Sequence, residues 1–261
     1  KTGGPGRVVY EHSPLHNSFG TERAFENLPY FAKRNTLEGL YMQSSISSPF
    51  VFYIQSEISK VCSAPFPQYK YSGLNVPAAL PHLKLFNVTE YIVRSPEVKQ
   101  QAGSLPELRL EKKIGDYEIY RLLTNDGHYV VPVKQHPVVT DFRNWKREAY
   151  DWFRNTEKPE EPLPGARIEE RIGAEEIWFE TNLVGQPHLI KISYHPNWQV
   201  SGADQIFLAY PSFMLVYPTQ SEVRLHFGKS LYNRAGEGLT LIGLTILLAS
   251  GIMAFAHGRR P

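Results

Sequence analysis

The chain has 261 residues, of which 42% are apolar and 21% charged, proportions that exclude a disordered chain and allow one large domain or two small ones. Its 28 basic and 26 acidic side chains leave a formal net charge of +2, so no strong field selects nucleic acid or an acidic partner. The single cysteine, Cys62, excludes an internal disulfide and leaves no CxxC pair for zinc.

The first section, residues 1–130, reads as a small α/β layer outside the cytoplasm. Arg7 to Glu11 (RVVYE) is strand-like and ends in a His-Ser-Pro turn. Thr21 to Ala32 spaces Ala24, Phe25 and Leu28 as a helix would, until Pro29 disrupts it. Ser48 to Val61 predicts a helix capped by Ser48 with Pro49 at its first position. Leu83 to Ser95 mixes β-branched and aromatic residues and predicts a buried strand pair or one bent strand. Ser95 to Gly103 predicts a short capped helix stopped by glycine, and Asp116 to Leu123 alternates as a strand.

The second section, residues 131–166, predicts an amphipathic helix over Asp141 to Phe153, carrying Trp145, Tyr150 and Trp152, followed by a charged, proline-rich linker (NTEKPEEPLPG). The third, residues 167–232, holds EEIWFETN, HLIKISYH, WQVSGADQIFLAY, SFMLVYP and EVRLHFG. Short strands separated by Gly, Pro and Asn turns predict an antiparallel sandwich. The expected class is therefore α+β: an α/β layer, a β-sandwich-like domain and one C-terminal transmembrane helix.

That helix is the strongest signal in the chain. Residues 239–256 (LTLIGLTILLASGIMAFA) carry no charge. At 1.5 Å per residue they span roughly 27 Å, about one hydrocarbon core. Threonine and serine hydroxyls return bonds to their own helix and do not disqualify it. His257, Gly258, Arg259 and Arg260 follow, and paired arginines beside a short tail mark the cytoplasmic side. The bulk of the chain is thus expected outside the cytoplasm, with the lipid bilayer and other transmembrane helices as partners. The sequence starts at Lys1, consistent with a removed signal peptide or with a piece of a longer polypeptide.

Motifs for chemistry are sparse. His12 and His16 stand four apart, but Pro14 between them disfavours a helical pair of metal ligands. There is no GxSxG nucleophile turn. The pairs Glu160-Glu161 and Glu175-Glu176 lie in turn-rich, exposed text. Asn87-Val88-Thr89 matches a glycosylation sequon but sits in an apolar stretch. No catalytic residue, metal ligand or cofactor is assigned. With 15 Tyr and 4 Trp, the chain has rings of the kind that stack on sugars, although core and interface packing use aromatics more often. Trp145, Trp152, His195 and Trp198 are the candidate substrate- or partner-binding residues.

Three stretches carry a resemblance: LFNVTEYIVRS followed by DYEIYRLL, then KISYHPNWQVSGAD, then SFMLVYPTQSEVRLHFGKS running into the apolar helix. With Asn87, Val88, Tyr91 and Ile92, then Tyr120 and Leu122, and the turn Tyr194-His195-Pro196-Asn197-Trp198, the chain resembles the C-terminal extracytoplasmic region of YfhO-like and 6-pyruvoyl-tetrahydropterin synthase-related polytopic membrane proteins, in the GT-C glycosyltransferase-like group. The resemblance implies a parent protein that handles lipid-linked sugars. It lends no catalytic residue, because such enzymes carry their acid between early membrane helices that this sequence lacks. Two functions are expected from these readings: an extracytoplasmic domain that assists transfer of lipid-linked sugars without being catalytic alone, or a single-span, non-catalytic accessory subunit of a larger membrane complex.

Overall fold

The computed structural model describes residues 6–39, 45–156 and 162–257. The fold is α+β, with three four-stranded sheets, a layer of helices and one apolar C-terminal helix. The first sheet has the order β1-β2-β4-β3, built from β1 (Arg7–Tyr10), β2 (Val88–Val93), β3 (Leu108–Ile114) and β4 (Tyr117–Leu122). Only β1 and β2 run parallel; the other pairs of this sheet are antiparallel.

Helices α2 (Ser48–Ile58), α3 (Val76–Leu85) and α4 (Pro96–Gly103) share a core with this sheet, and α5 (Trp145–Arg154) packs on α2; a short α1 (Leu28–Ala32) precedes them. Helix α2 is buried at ten of its eleven residues, which is why its sequence shows almost no polar face.

The second sheet, β10-β11-β8-β5, combines β5 (Val130–Pro132), β8 (His188–Ser193), β10 (Ala203–Ala209) and β11 (Phe213–Pro218). It is buried on both faces. Leu189, Phe213 and Leu215 point into the helical core with Tyr91, Val93 and Tyr120 of the first sheet. Their neighbours Ile190, Met214 and Val216 point the opposite way, as the two-residue period of a strand requires. There they meet Ile177, Phe179, Val223 and Leu225 of the third sheet. That sheet, β6-β7-β12-β9, comprises β6 (Ile168–Ile172), β7 (Glu176–Thr181), β9 (Trp198–Ser201) and β12 (Glu222–Phe227). Each large core side chain so buried contributes about 1.5–3 kcal/mol.

Helix α6 (Leu231–His257) leaves the third sheet at the end of β12. Its segment Leu231–Met253 is long and apolar enough to cross a membrane, and none of it is buried against the rest of the chain. Thr240 and Thr245 donate to the carbonyls of Gly236 and Leu241, 2.9 and 2.8 Å away, so their hydroxyls carry no unmet polarity into lipid.

Several expectations need correction. Pro29 does not end a helix; it sits in the first turn of α1, where its missing N–H costs nothing, and a 3-10 turn over Ala24–Asn27 precedes it. The α2 cap residue is Ser47, not Ser48, and its side chain makes no capping bond. Leu83 to Ser95 is neither a strand pair nor a bent strand: Leu83–Leu85 close α3, Asn87 turns in the left-handed region at φ 56°, and β2 follows. Helix α4 ends on Gly103 with Ser104 as its cap.

Candidate functional site

Helix α5 organises a broad concave surface. Trp145, Ala149, Tyr150 and Phe153 are buried at helical spacing, while Lys146, Arg147 and Asp151 face outward. The buried face docks on α2, with Phe50 and Phe153 ring centroids 5.4 Å apart and Tyr53 and Tyr150 5.8 Å apart. The Tyr150 hydroxyl donates to the Lys70 carbonyl at 2.9 Å, and the Tyr69 ring lies 4.4 Å from that of Tyr150. Those two contacts fix the 68–70 loop beside the helix.

Between them lies a cleft of about 900 Å³. Five cations line it, Lys70, Arg143, Lys146, Arg147 and Arg154, against one carboxylate, Asp151. Arg154 and Asp151 approach only to 3.9 Å, and Lys70, Arg143, Lys146 and Arg147 have no ion-pair partner among the described residues. Glu148 turns away, its carboxylate 3.3 Å from the Tyr210 hydroxyl. A surplus of four positive charges is thus concentrated here in a chain whose total is only +2. Such a cleft attracts anions, and arginine forks match phosphate and carboxylate oxygens. Aromatic surface accompanies the charge: Phe142 is 63% exposed, and Tyr69, Trp145 and Tyr150 add ring edges to the wall.

The four candidate aromatic and histidine residues separate into three places. Trp145 lies in the cleft wall, 9% exposed, with Lys146 Nζ 5.9 Å from its ring. Trp152 faces away from it and packs between His136 and Tyr210, at 5.5 and 5.7 Å. His195 and Trp198 come together around Phe227, at 5.0 and 5.3 Å. Their turn is tied to the membrane helix: Gly228 N–H donates to the Asn197 carbonyl at 2.9 Å, and Asn197 Nδ2 to Asn233 Oδ1 at 3.3 Å. Lys70 was missed in the sequence because it lies far from α5 in the chain. The dense run Phe142-Arg143-Asn144-Trp145-Lys146-Arg147 was the available signal.

Asn87, His188 and Cys62 serve the fold. Asn87 is fully buried with Nδ2 donating to the Gly127 carbonyl at 2.8 Å, so its sequon is closed to modification. His188 is buried between Thr181 Oγ1 and the Gln186 carbonyl, each at 2.8 Å. Burial pushes the Cys62 thiol up to about 12, far from a reactive thiolate. No grouping of His, Cys, Asp and Glu fit to hold a metal occurs among the described residues.

Fold and site together define a membrane-anchored α+β domain with a basic, aromatic-edged cleft. The chain belongs to a family of domains of unknown function, DUF8559, which matches residues 2–142, more than half of its length. No curated protein and no solved structure matches it.

Proposed function

We propose that the protein is the extracytoplasmic domain of a GT-C-like membrane machine, and that it assists transfer of lipid-linked sugars without catalysing it. The observation that carries this reading is the α5 cleft. A lipid-linked sugar presents a phosphate or diphosphate next to a ring, and the cleft offers unpaired cations next to aromatic surface. The candidate span α6 supports the reading by anchoring the domain in the membrane where such donors reside. The tail arginines support a cytoplasmic C-terminus and an outward-facing domain.

The test uses the full chain in lipid nanodiscs. A polyprenyl diphosphate-linked sugar should bind saturably, and the same polyprenol without phosphate should not. Equal binding of the two would overturn the reading.

A second reading, a single-span accessory subunit of a larger complex, is favoured by the apolar span of α6, none of which is buried against the rest of the chain. Mild extraction from native membranes discriminates the two: a constant set of other subunits supports the accessory role, and recovery within one polytopic polypeptide supports the first.

A further inference from the structure

A cavity of about 300 Å³ lies between β1, the 3-10 turn before α1 and the residues that follow α2. It shares no lining residue with the basic cleft. Its charge is of the opposite sign: Glu22, Glu26 and Glu38 line it against the single guanidinium of Arg23. Glu26 and Glu38 are only 5% and 3% exposed. Glu26 accepts from Arg23, and Glu38 Oε1 lies 2.7 Å from His12 Nε2, within ion-pair distance but without hydrogen-bond geometry.

What remains is unmet acceptor capacity. Glu26 Oε2 and the Tyr10 hydroxyl are buried without a hydrogen-bond partner among the described residues, and Tyr10 is 2% exposed. Burial and the neighbouring Glu38 and Glu26 drive the Tyr10 phenol far above its usual range, which keeps it neutral beside them. Carboxylate and phenol oxygens buried without donors lose their hydration uncompensated. A ligand that brings N–H donors and a positive charge relieves both deficits at once. An anion is repelled, and a neutral alcohol leaves the charge unbalanced. The described residues offer no metal-ligand grouping here.

We infer that this cavity binds a small primary ammonium compound, with Glu26 and Glu38 as its counter-charges and the Tyr10 hydroxyl as a further hydrogen-bond partner. The volume suits an amine of a few carbons, at the small end of ligand sites.

Calorimetric titration of the full chain in nanodiscs tests this, with n-butylammonium as the probe and n-butanol as its neutral counterpart. Saturable binding of n-butylammonium alone is expected, weakened at least tenfold by Glu26→Gln. Arg23 is exposed and competes for the same carboxylate, so Arg23→Ala should tighten binding severalfold. No saturable binding, or an equal response to n-butanol, overturns the inference. So does unchanged affinity in a natively folded Glu26→Gln protein; if that variant does not fold, unchanged or weakened affinity in Arg23→Ala overturns it instead.

Discussion

Glu57 Oε2 lies 2.8 Å from His82 Nδ1, with both side chains almost wholly buried, and His82 Nε2 lies 2.9 Å from the Phe153 carbonyl. A carbonyl only accepts, so Nε2 carries a proton. The remaining proton sits between Nδ1 and Glu57, and burial moves the Glu57 carboxyl above its ordinary range while the bond to His82 opposes that shift. One imidazole therefore clasps α2, α3 and the end of α5, and through α5 it sets the position of the basic cleft. Removing either partner leaves the other buried and unmet. His82→Ala should lower unfolding free energy by about 3–5 kcal/mol, and the double change Glu57→Leu with His82→Leu should recover a large part. Denaturant unfolding followed by tryptophan fluorescence measures both; a double variant no better than the single one would contradict the account.

Lys191 supplies a pH test. Its ammonium is buried, donates to the Lys84 carbonyl at 3.2 Å near the end of α3, and is pushed down to about 8, chiefly by desolvation. An unfolded lysine titrates near 10.4. Between those values the unfolded chain binds more protons than the folded one, so this residue's contribution to stability rises with pH through that window and its cost is full below it. Relative to Lys191→Met, the wild type should gain about 1–2 kcal/mol as pH moves from about 7.5 to 9.5. Stability profiles that stay parallel would rule out a depressed ammonium.

Four of the cleft cations, Lys70, Arg143, Lys146 and Arg147, are exposed and have no ion-pair partner among the described residues, so they should be dispensable for folding. Lys146→Glu with Arg147→Glu should change unfolding free energy by less than about 0.5 kcal/mol each. The same pair should cut affinity for a diphosphate-bearing lipid at least tenfold. Wild-type affinity should also fall as salt rises. Salt-independent binding, or binding that survives the charge reversal, would separate the ligand from this surface.

Trp198 is partly buried against the sandwich core and sits where the third sheet enters α6. Partial burial should limit the cost of Trp198→Ala to about 1–3 kcal/mol, below that of a fully buried tryptophan. In the proposed topology its place at the helix junction brings the indole near the lipid headgroups. Brominated lipids should therefore quench a part of the fluorescence that disappears in Trp198→Ala. Equal quenching in the variant would place the junction away from the bilayer.

How much of this was legible depends on which faces meet water. Strands β7 and β12 alternate because one side is solvated, and their burial follows the letters of EIWFET and EVRLHF directly. Helix α6 was legible from its uninterrupted apolar run. Helix α3 was not, because Pro77 and Pro81 read as breaks. Pro77 lies in the first turn, where no intrahelical N–H is needed, and the Asn75 side chain caps Ala78 N–H at 3.2 Å. Strand β3 was hidden by being an exposed edge, buried only at Leu108 and otherwise charged or solvated. The cleft was invisible for a different reason. Lys70 joins the cations on and beside α5 because Tyr69, in the long loop between α2 and α3, packs on Tyr150.

The central claim is that the α5 cleft receives the phosphorylated end of a lipid-linked sugar. A photoreactive polyprenyl diphosphate-linked sugar, with the reactive group on the sugar, tests it in native membranes. After irradiation and digestion, the account predicts adducts on residues 68–70 and 142–154, suppressed by excess unlabelled donor and absent from the Lys146→Glu, Arg147→Glu protein. Adducts confined to other surfaces, or adducts on the cleft that resist both competition and charge reversal, would contradict it.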